Sequence, residues 1–239
     1  MRRNPILLLV AMAATALAYP ADASLLSDGN LSLATSGTLT SNSDWQLIAN
    51  TPDGTNLAAQ FQTGFANAQN TGVGGPEPPG TGTGVWFRSF EGNQGGSGEP
   101  LAQAIITQSV VAPSDGLYTL DFVAGRETNF TARVFRVTLS TGSQSSSVDL
   151  LTAAIPDGNL GGAASGNPGG TPFQLSLAGV TAGELVTITG GMLDGRDSQI
   201  PGGQSAFLDG FSLNVVPEPC ASLLVGLAMI GLTGVRRRD

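Results

Sequence analysis

The sequence predicts an all-β chain folded as a β-sandwich, and three observations carry that expectation. First, apolar and polar residues alternate with period two. The stretch "LYTLDFVAG" sets Tyr118, Leu120, Phe122 and Ala124 on one side and Leu117, Thr119, Asp121 and Val123 on the other. Second, turn formers separate such runs, as in "APSDG" at 112–116 and "AGVTAGE" at 178–184. Third, no 3.6-residue amphipathic period runs through the body, where Gly, Ser, Thr and Asn dominate.

The elements follow in order. Residues 1–23 have the form of a secretory signal peptide: Arg2 and Arg3, an apolar run from Ile6 to Ala18, and the small-x-small cleavage pattern Ala21-Asp22-Ala23. The body, 24–215, is long enough to bury one core. Strands are expected at 31–39, 57–61, 85–90, 104–111, 117–125, 132–141, 173–177, 185–189 and 207–215. Nine or ten short strands without helices mean a sandwich or a barrel, and two packed layers favour the sandwich. Gly/Pro-rich insertions at 71–84, 92–99 and 157–171 read as long loops, and none repeats at a fixed period. In the last strand, Phe211 and Leu213 are expected in the core.

Charge and residue usage exclude several function classes. The chain has no Lys, no His and a net charge of −8, so it lacks the positive face that nucleic-acid phosphates require. Without His there is no Ser-His-Asp triad, no His-based zinc site and no Cys-His pair. The single Cys, Cys220, forms no internal disulfide. A pair of carboxylates acting on a glycosidic bond remains. Glu91, Glu99, Glu127 and Asp209 are available, but nothing in the sequence pairs two of them across a cleft.

The order "LAQAIITQSVVAP", "YTLDFVAG" and a final "SAFLDGFSLNVV" resembles the galactose-binding-like jelly-roll sandwich of many carbohydrate-binding modules. In that family the last strand often reads Leu-Asp-Asp/Asn-Val-x-Leu; here Gly210 replaces the second acidic residue and Phe211 replaces Val. The resemblance implies a jelly-roll fold and a carbohydrate ligand.

The C-terminal segment, 216–239, carries a second resemblance. Val216-Pro217-Glu218-Pro219 precedes a fifteen-residue apolar stretch, 221–235, and then the basic tail Arg236-Arg237-Arg238. This order resembles the PEP-CTERM sorting signal of Gram-negative bacteria. The resemblance implies recognition by an exosortase-type membrane transpeptidase after signal peptidase has acted. It implies transient insertion in the inner membrane through a C-terminal transmembrane helix, then delivery to the cell surface or the medium. A helix over 221–235 would be about 22 Å long, short of a typical hydrocarbon core, with the arginines held on the cytoplasmic side.

Candidate ligand-binding residues are Trp45, Trp86, Arg88, Arg126 and Glu127. An aromatic ring can receive the apolar face of a sugar while polar neighbours take its hydroxyls. Each tryptophan also has a core reading. In "GVWFRSF" either Val85 and Phe87 pack inward with Trp86 and Arg88 outward, or the faces are reversed. Arg126 and Glu127 either hold a ligand at the tip of the sandwich or form a solvated pair. No cofactor is implied; a structural calcium could use Asp53, Asn56, Asp194, Asp197 and Asp209, although Asp-Gly pairs are first of all turns. The functional expectation is a non-catalytic secreted or surface-destined protein, a component or binder of an extracellular polysaccharide matrix. The alternatives are a secreted carboxylate-dependent glycan hydrolase or lyase, and a structural surface or coat protein.

Overall fold

The computed structural model of the chain describes residues 24–29, 31, 44–63, 83–90, 100–127, 130–155, 170–196 and 204–217. They form ten strands: β1 (Gln46–Ala49), β2 (Ala59–Thr63), β3 (Thr83–Ser89), β4 (Ala102–Val111), β5 (Gly116–Arg126), β6 (Val134–Ser140), β7 (Ser145–Asp149), β8 (Thr171–Val180), β9 (Leu185–Gly195) and β10 (Gln204–Pro217). Two five-stranded sheets, β1-β4-β9-β6-β7 and β2-β3-β10-β5-β8, lie face to face as a jelly-roll β-sandwich. Every pairing is antiparallel, so each strand can bury one face and leave the other to solvent.

The alternation in the sequence becomes this layering. Tyr118, Leu120, Phe122 and Ala124 of β5 point into the core, as do Phe135, Val137 and Leu139 of β6 and Ala104 and Ile106 of β4. The Tyr118 hydroxyl donates to the Ser114 carbonyl oxygen at 2.7 Å, which ties the "APSDG" turn to the strand it feeds. Phe211 and Leu213 are fully buried, as expected.

Four features depart from the sequence reading. The expected C-terminal transmembrane helix, and the inner-membrane intermediate that rests on it, are corrected. The described residues contain strands and turns without a helix, and no helix among them is long and apolar enough to cross a membrane. The fold class is therefore all-β with no helical element among the described residues; 221–235 and the basic tail lie outside them. β10 instead runs on through Val216 and Pro217, with Val216 exposed, so this half of the Val216–Pro219 motif is extended backbone. Second, β1 and β7 form where no strand was expected. Third, the strand expected at 57–61 starts at Ala59, because the Ala58 amide is taken by the Asn50 carbonyl oxygen in the preceding loop. The strand expected at 31–39 falls, beyond Leu31, outside the described residues.

Fourth, β10 does not alternate evenly. A bulge between Asp209 and Ser212 shifts its register against β5, with Gly210 at φ +60°, a left-handed conformation that glycine adopts without steric cost. Before the bulge, Leu208 points inward and Phe207 and Asp209 lie on the outer side; after it, Phe211 and Leu213 point inward. The N-terminal segment joins β10 here, with the Leu25 amide donating to Leu213 O at 2.8 Å and the Phe211 amide to Gly29 O at 2.7 Å.

Candidate functional site

β3 carries Val85 and Phe87 into the core, so Trp86 and Arg88 share the opposite face of the strand, and Phe90, just past its end, is buried beside them. On the outer face of its sheet Trp86 lies between Gln60 of β2 and Phe207 of β10. The Arg88 guanidinium carbon stands 5.0 Å from the Trp86 ring centre and 5.2 Å from that of Phe90. Two aromatic rings thus hold one half-buried cation, an interaction worth about 0.5–2 kcal/mol per ring depending on desolvation.

The loop from β1 to β2 completes the cluster. Asn50 pins it: its side-chain amide donates to Leu101 O at 2.7 Å and its Oδ1 accepts the Gln103 amide at 2.8 Å. A turn closes with the Gly54 amide on Thr51 O at 2.9 Å, glycine again taking positive φ. Asp53 then organises the return. Its Oδ1 accepts the amides of Thr55 at 2.9 Å and Asn56 at 2.7 Å, and its Oδ2 accepts Asn56 Nδ2 at 2.8 Å. That fixes Asn56 with its own Oδ1 accepting Arg88 Nη1 at 3.2 Å. The Arg88 amide meanwhile donates to Ala58 O at 2.8 Å, so backbone and side chain hold the same loop.

Burial lowers the Arg88 pKa, and the Asp53 carboxylate opposes that shift; a guanidinium stays charged at neutral pH either way. For Asp53, desolvation pushes the pKa up, but hydrogen bonds from the Asn56 side chain and from the Asn56 and Thr55 amides hold it below the ordinary Asp value. A depressed folded-state pKa means the stabilisation is present above the unfolded value and is lost as pH falls through the folded one. An NMR titration of the Asp53 carboxyl is expected to give a midpoint below that of an unstructured Asp. A midpoint at or above it would mean that these hydrogen bonds do not form in solution.

The structure brings together four residues that the sequence assigned to different candidate sites: Trp86 and Arg88 from the ligand set, Asp53 and Asn56 from the metal set. The others lie apart. Trp45 is core: it is 1% exposed, its Nε1 donates to Asp28 O at 3.0 Å, and its ring centre lies 4.9 Å from that of Phe211. Arg126 donates to the carbonyl oxygens of Leu150 and Leu151 after β7. Glu127 Oε2 accepts the Ser205 amide at 2.7 Å while its own amide donates to Ser205 O at 2.9 Å. These two side chains hold backbone in place. Asp194 pairs with Arg133 at 2.6 Å, Asp209 is buried at the bulge with its Oδ1 accepting the Gly210 amide, and Asp197 lies outside the described residues. Among the described residues no three His, Cys, Asp or Glu gather as a metal site. Sequence reasoning missed Gln60 and Phe90; the spacing of Trp86, Arg88 and Phe90 was a usable signal, whereas nothing local pointed to Gln60.

No protein-family model matches the chain, and no curated protein matches it. Among solved structures it is similar to the enzymatically active domain of tailspike protein 4 of bacteriophage CBA120, at 13% identity and a TM-score of 0.46, over 81% of this chain. The chain spans 21% of the length of that tailspike domain. It is similar to TmCBM61, solved with β-1,4-galactotriose, at 12% identity and a TM-score of 0.42, over 82% of this chain and 100% of that one. It is also similar to the CBM22-1 xylan-binding domain of Xyn10C from Paenibacillus barcinonensis, at 10% identity and a TM-score of 0.40, over 84% and 100% of the two chains. At such identities and TM-scores the similarity is one of general chain architecture alone.

Proposed function

We propose that this chain is a non-catalytic glycan-binding module, a component or binder of an extracellular polysaccharide matrix. The observation that carries the reading is the Arg88 guanidinium laid over Trp86 and braced by Asn56. This patch combines a planar charged donor group, carboxamides of Asn56 and Gln60, and an indole body on the outer face of a sheet. Such a combination suits a polyhydroxylated chain, whose ring hydroxyls take directed hydrogen bonds and whose carbon faces pack on aromatic surface. Arg88 is fixed before a ligand arrives, so little side-chain entropy is lost on binding.

The test is affinity electrophoresis of the full chain through a panel of soluble exopolysaccharides, neutral and uronate-containing. Retardation by at least one is expected. Arg88→Lys, which keeps the charge and loses the planar fork, should weaken binding about tenfold, as loss of a charge-assisted hydrogen bond does. Indifference to every glycan, or retardation unchanged in the variant, would overturn the reading. New reducing ends or unsaturated products would favour the carboxylate enzyme instead.

A further inference from the structure

The outer face of the sheet β1-β4-β9-β6-β7 has a composition unlike the rest of the surface. Among the described residues, four of the six exposed large hydrophobic ones stand on it: Ile48 at 59% exposure, Ile105 at 40%, Val111 at 64% and Leu185 at 55%. They form two pairs, Ile48 beside Ile105 and Val111 beside Leu185, because each pair is in register. Between them run two rows of hydroxyls across the sheet. One is Thr107, Thr189, Thr138 and Ser147; the other is Ser109, Thr187, Ser140 and Ser145. Thr107 Oγ1 donates to Ile188 O at 2.8 Å and Ser109 Oγ lies 2.8 Å from Thr187 Oγ1, so hydroxyls of these rows are already engaged within the sheet.

From Ile105 to Val111 the outward residues of β4 read Ile105, Thr107, Ser109, Val111: apolar, hydroxyl, hydroxyl, apolar, with the exposed Gln103 preceding them on the same side. Over these four positions the pattern is the same in both directions. β9 repeats it as Leu185, Thr187, Thr189 and then Gly191, which adds no side chain at the Ile48–Ile105 end. No charged residue occurs at all in β1, in β4, or in β9 from Leu185 to Gly191, although the whole chain carries −8. The charged residues of the face, Arg136 paired with Asp149 on β6 and β7 and Asp194 paired with Arg133, stand beyond this patch, and two identical anionic molecules meet at low electrostatic cost through its uncharged part.

We propose that this face binds a second copy of the chain. A two-fold axis lying between the sheets, perpendicular to the strands at the level of Gln108 and Ile188, stacks β4 on β4 and β9 on β9 in opposite directions. Ile105 of one copy then covers Val111 of the other, and the hydroxyl rows meet at the axis. This is the isologous contact that a palindromic face allows, in the aligned geometry of packed sheets. The patch on β1, β4 and β9 is only about 10 Å wide and about 20 Å long at ordinary strand spacings. That is below a standard stable interface, so the dimer is a concentration-dependent one. Its Arg88 sites, on the other sheet, face outward on both copies, although the self-association itself does not depend on the glycan reading.

Sedimentation velocity of the full chain from micromolar to several hundred micromolar tests the proposal. A monomer–dimer equilibrium is expected, and Ile105→Lys or Val111→Glu alone should weaken it tenfold or more while the circular dichroism stays unchanged. Mixing the two variants should restore the dimer, because the new lysine of one copy meets the new glutamate of the other. A wild type that stays monomeric throughout, or a dimer indifferent to both single substitutions, overturns the proposal. Single variants that dissociate but do not associate on mixing overturn the Ile105-over-Val111 register and with it the two-fold described.

Discussion

Trp45→Ala is expected to destabilise the sandwich by about 3–5 kcal/mol, the cost of truncating a large buried aromatic side chain. Trp45 is 1% exposed and is the largest of the fully buried side chains. Its indole N–H reaches Asp28 O at 3.0 Å, so truncation also removes one of two donors to that carbonyl of the N-terminal segment, the other being the Leu31 amide at 3.0 Å. The segment is otherwise held by Ser27 and Gln108, which exchange hydrogen bonds at 3.1 and 2.9 Å, by Ser24, Leu25 and Gly29, which bond to β10, and by the buried Leu26 and Leu31. Loss of Trp45 should therefore loosen residues 24–31 before the sheets part. Urea unfolding gives the magnitude, and amide exchange at Leu25 and Phe211 gives the order of events. A loss under about 1 kcal/mol, or retained stability with abolished glycan binding, would mean that Trp45 is a surface platform after all. Trp86→Ala should show the reverse balance, with a smaller stability loss and weaker binding, because Trp86 is half-buried on the outer face.

The sequence made this fold readable wherever a strand has two unlike faces. β4, β6 and the first half of β5 alternate because one side meets the core and the other is more exposed, whereas Phe122 to Gly125 of β5 are buried on both sides. β7, "SSSVD", gave no such contrast. It is an edge strand whose inward Ser146 and Val148 are only half-buried, so serine serves on both sides and the composition resembles a loop. β1 is four residues long, too short for a period to be counted. At the site, the alternation of Trp86 and Arg88 was visible, and of the two possible face assignments the structure takes the one that points these two outward, while Phe90, past the end of β3, is buried with the core. Their meeting with Asn56 was not visible. That contact joins residues 32 apart in sequence and depends on how Asp53 and Asn50 fold an intervening loop. Where they are described, the acidic residues share local work: Asp53, Asp194 and Asp209 each serve a turn, an ion pair or a bulge, as Asp residues near glycines commonly do.

The bulge in β10 decides the second large effect. Phe207 and Phe211 are four residues apart, and in an unbroken strand both would point the same way. The extra residue between Asp209 and Ser212, accommodated by Gly210 at φ +60°, turns Phe211 inward while Phe207 stays on the outer side. There Phe211 joins the two sheets and the N-terminal segment: its ring centre is 4.9 Å from Trp45 and 5.8 Å from Phe122, and its amide donates to Gly29 O. Phe211→Ala should cost about 3–5 kcal/mol, because neither neighbouring ring can collapse into the space without leaving its own contacts. Phe211→Leu should cost less, since it refills part of that volume. Because Trp45 and Phe211 touch, the double alanine variant should lose less than the sum of the single losses, with a coupling of roughly 0.5–3 kcal/mol. Urea denaturation of the four proteins closes this cycle. Strict additivity, or a Phe211→Ala loss within about 1 kcal/mol, would mean that the bulge does not aim Phe211 at Trp45.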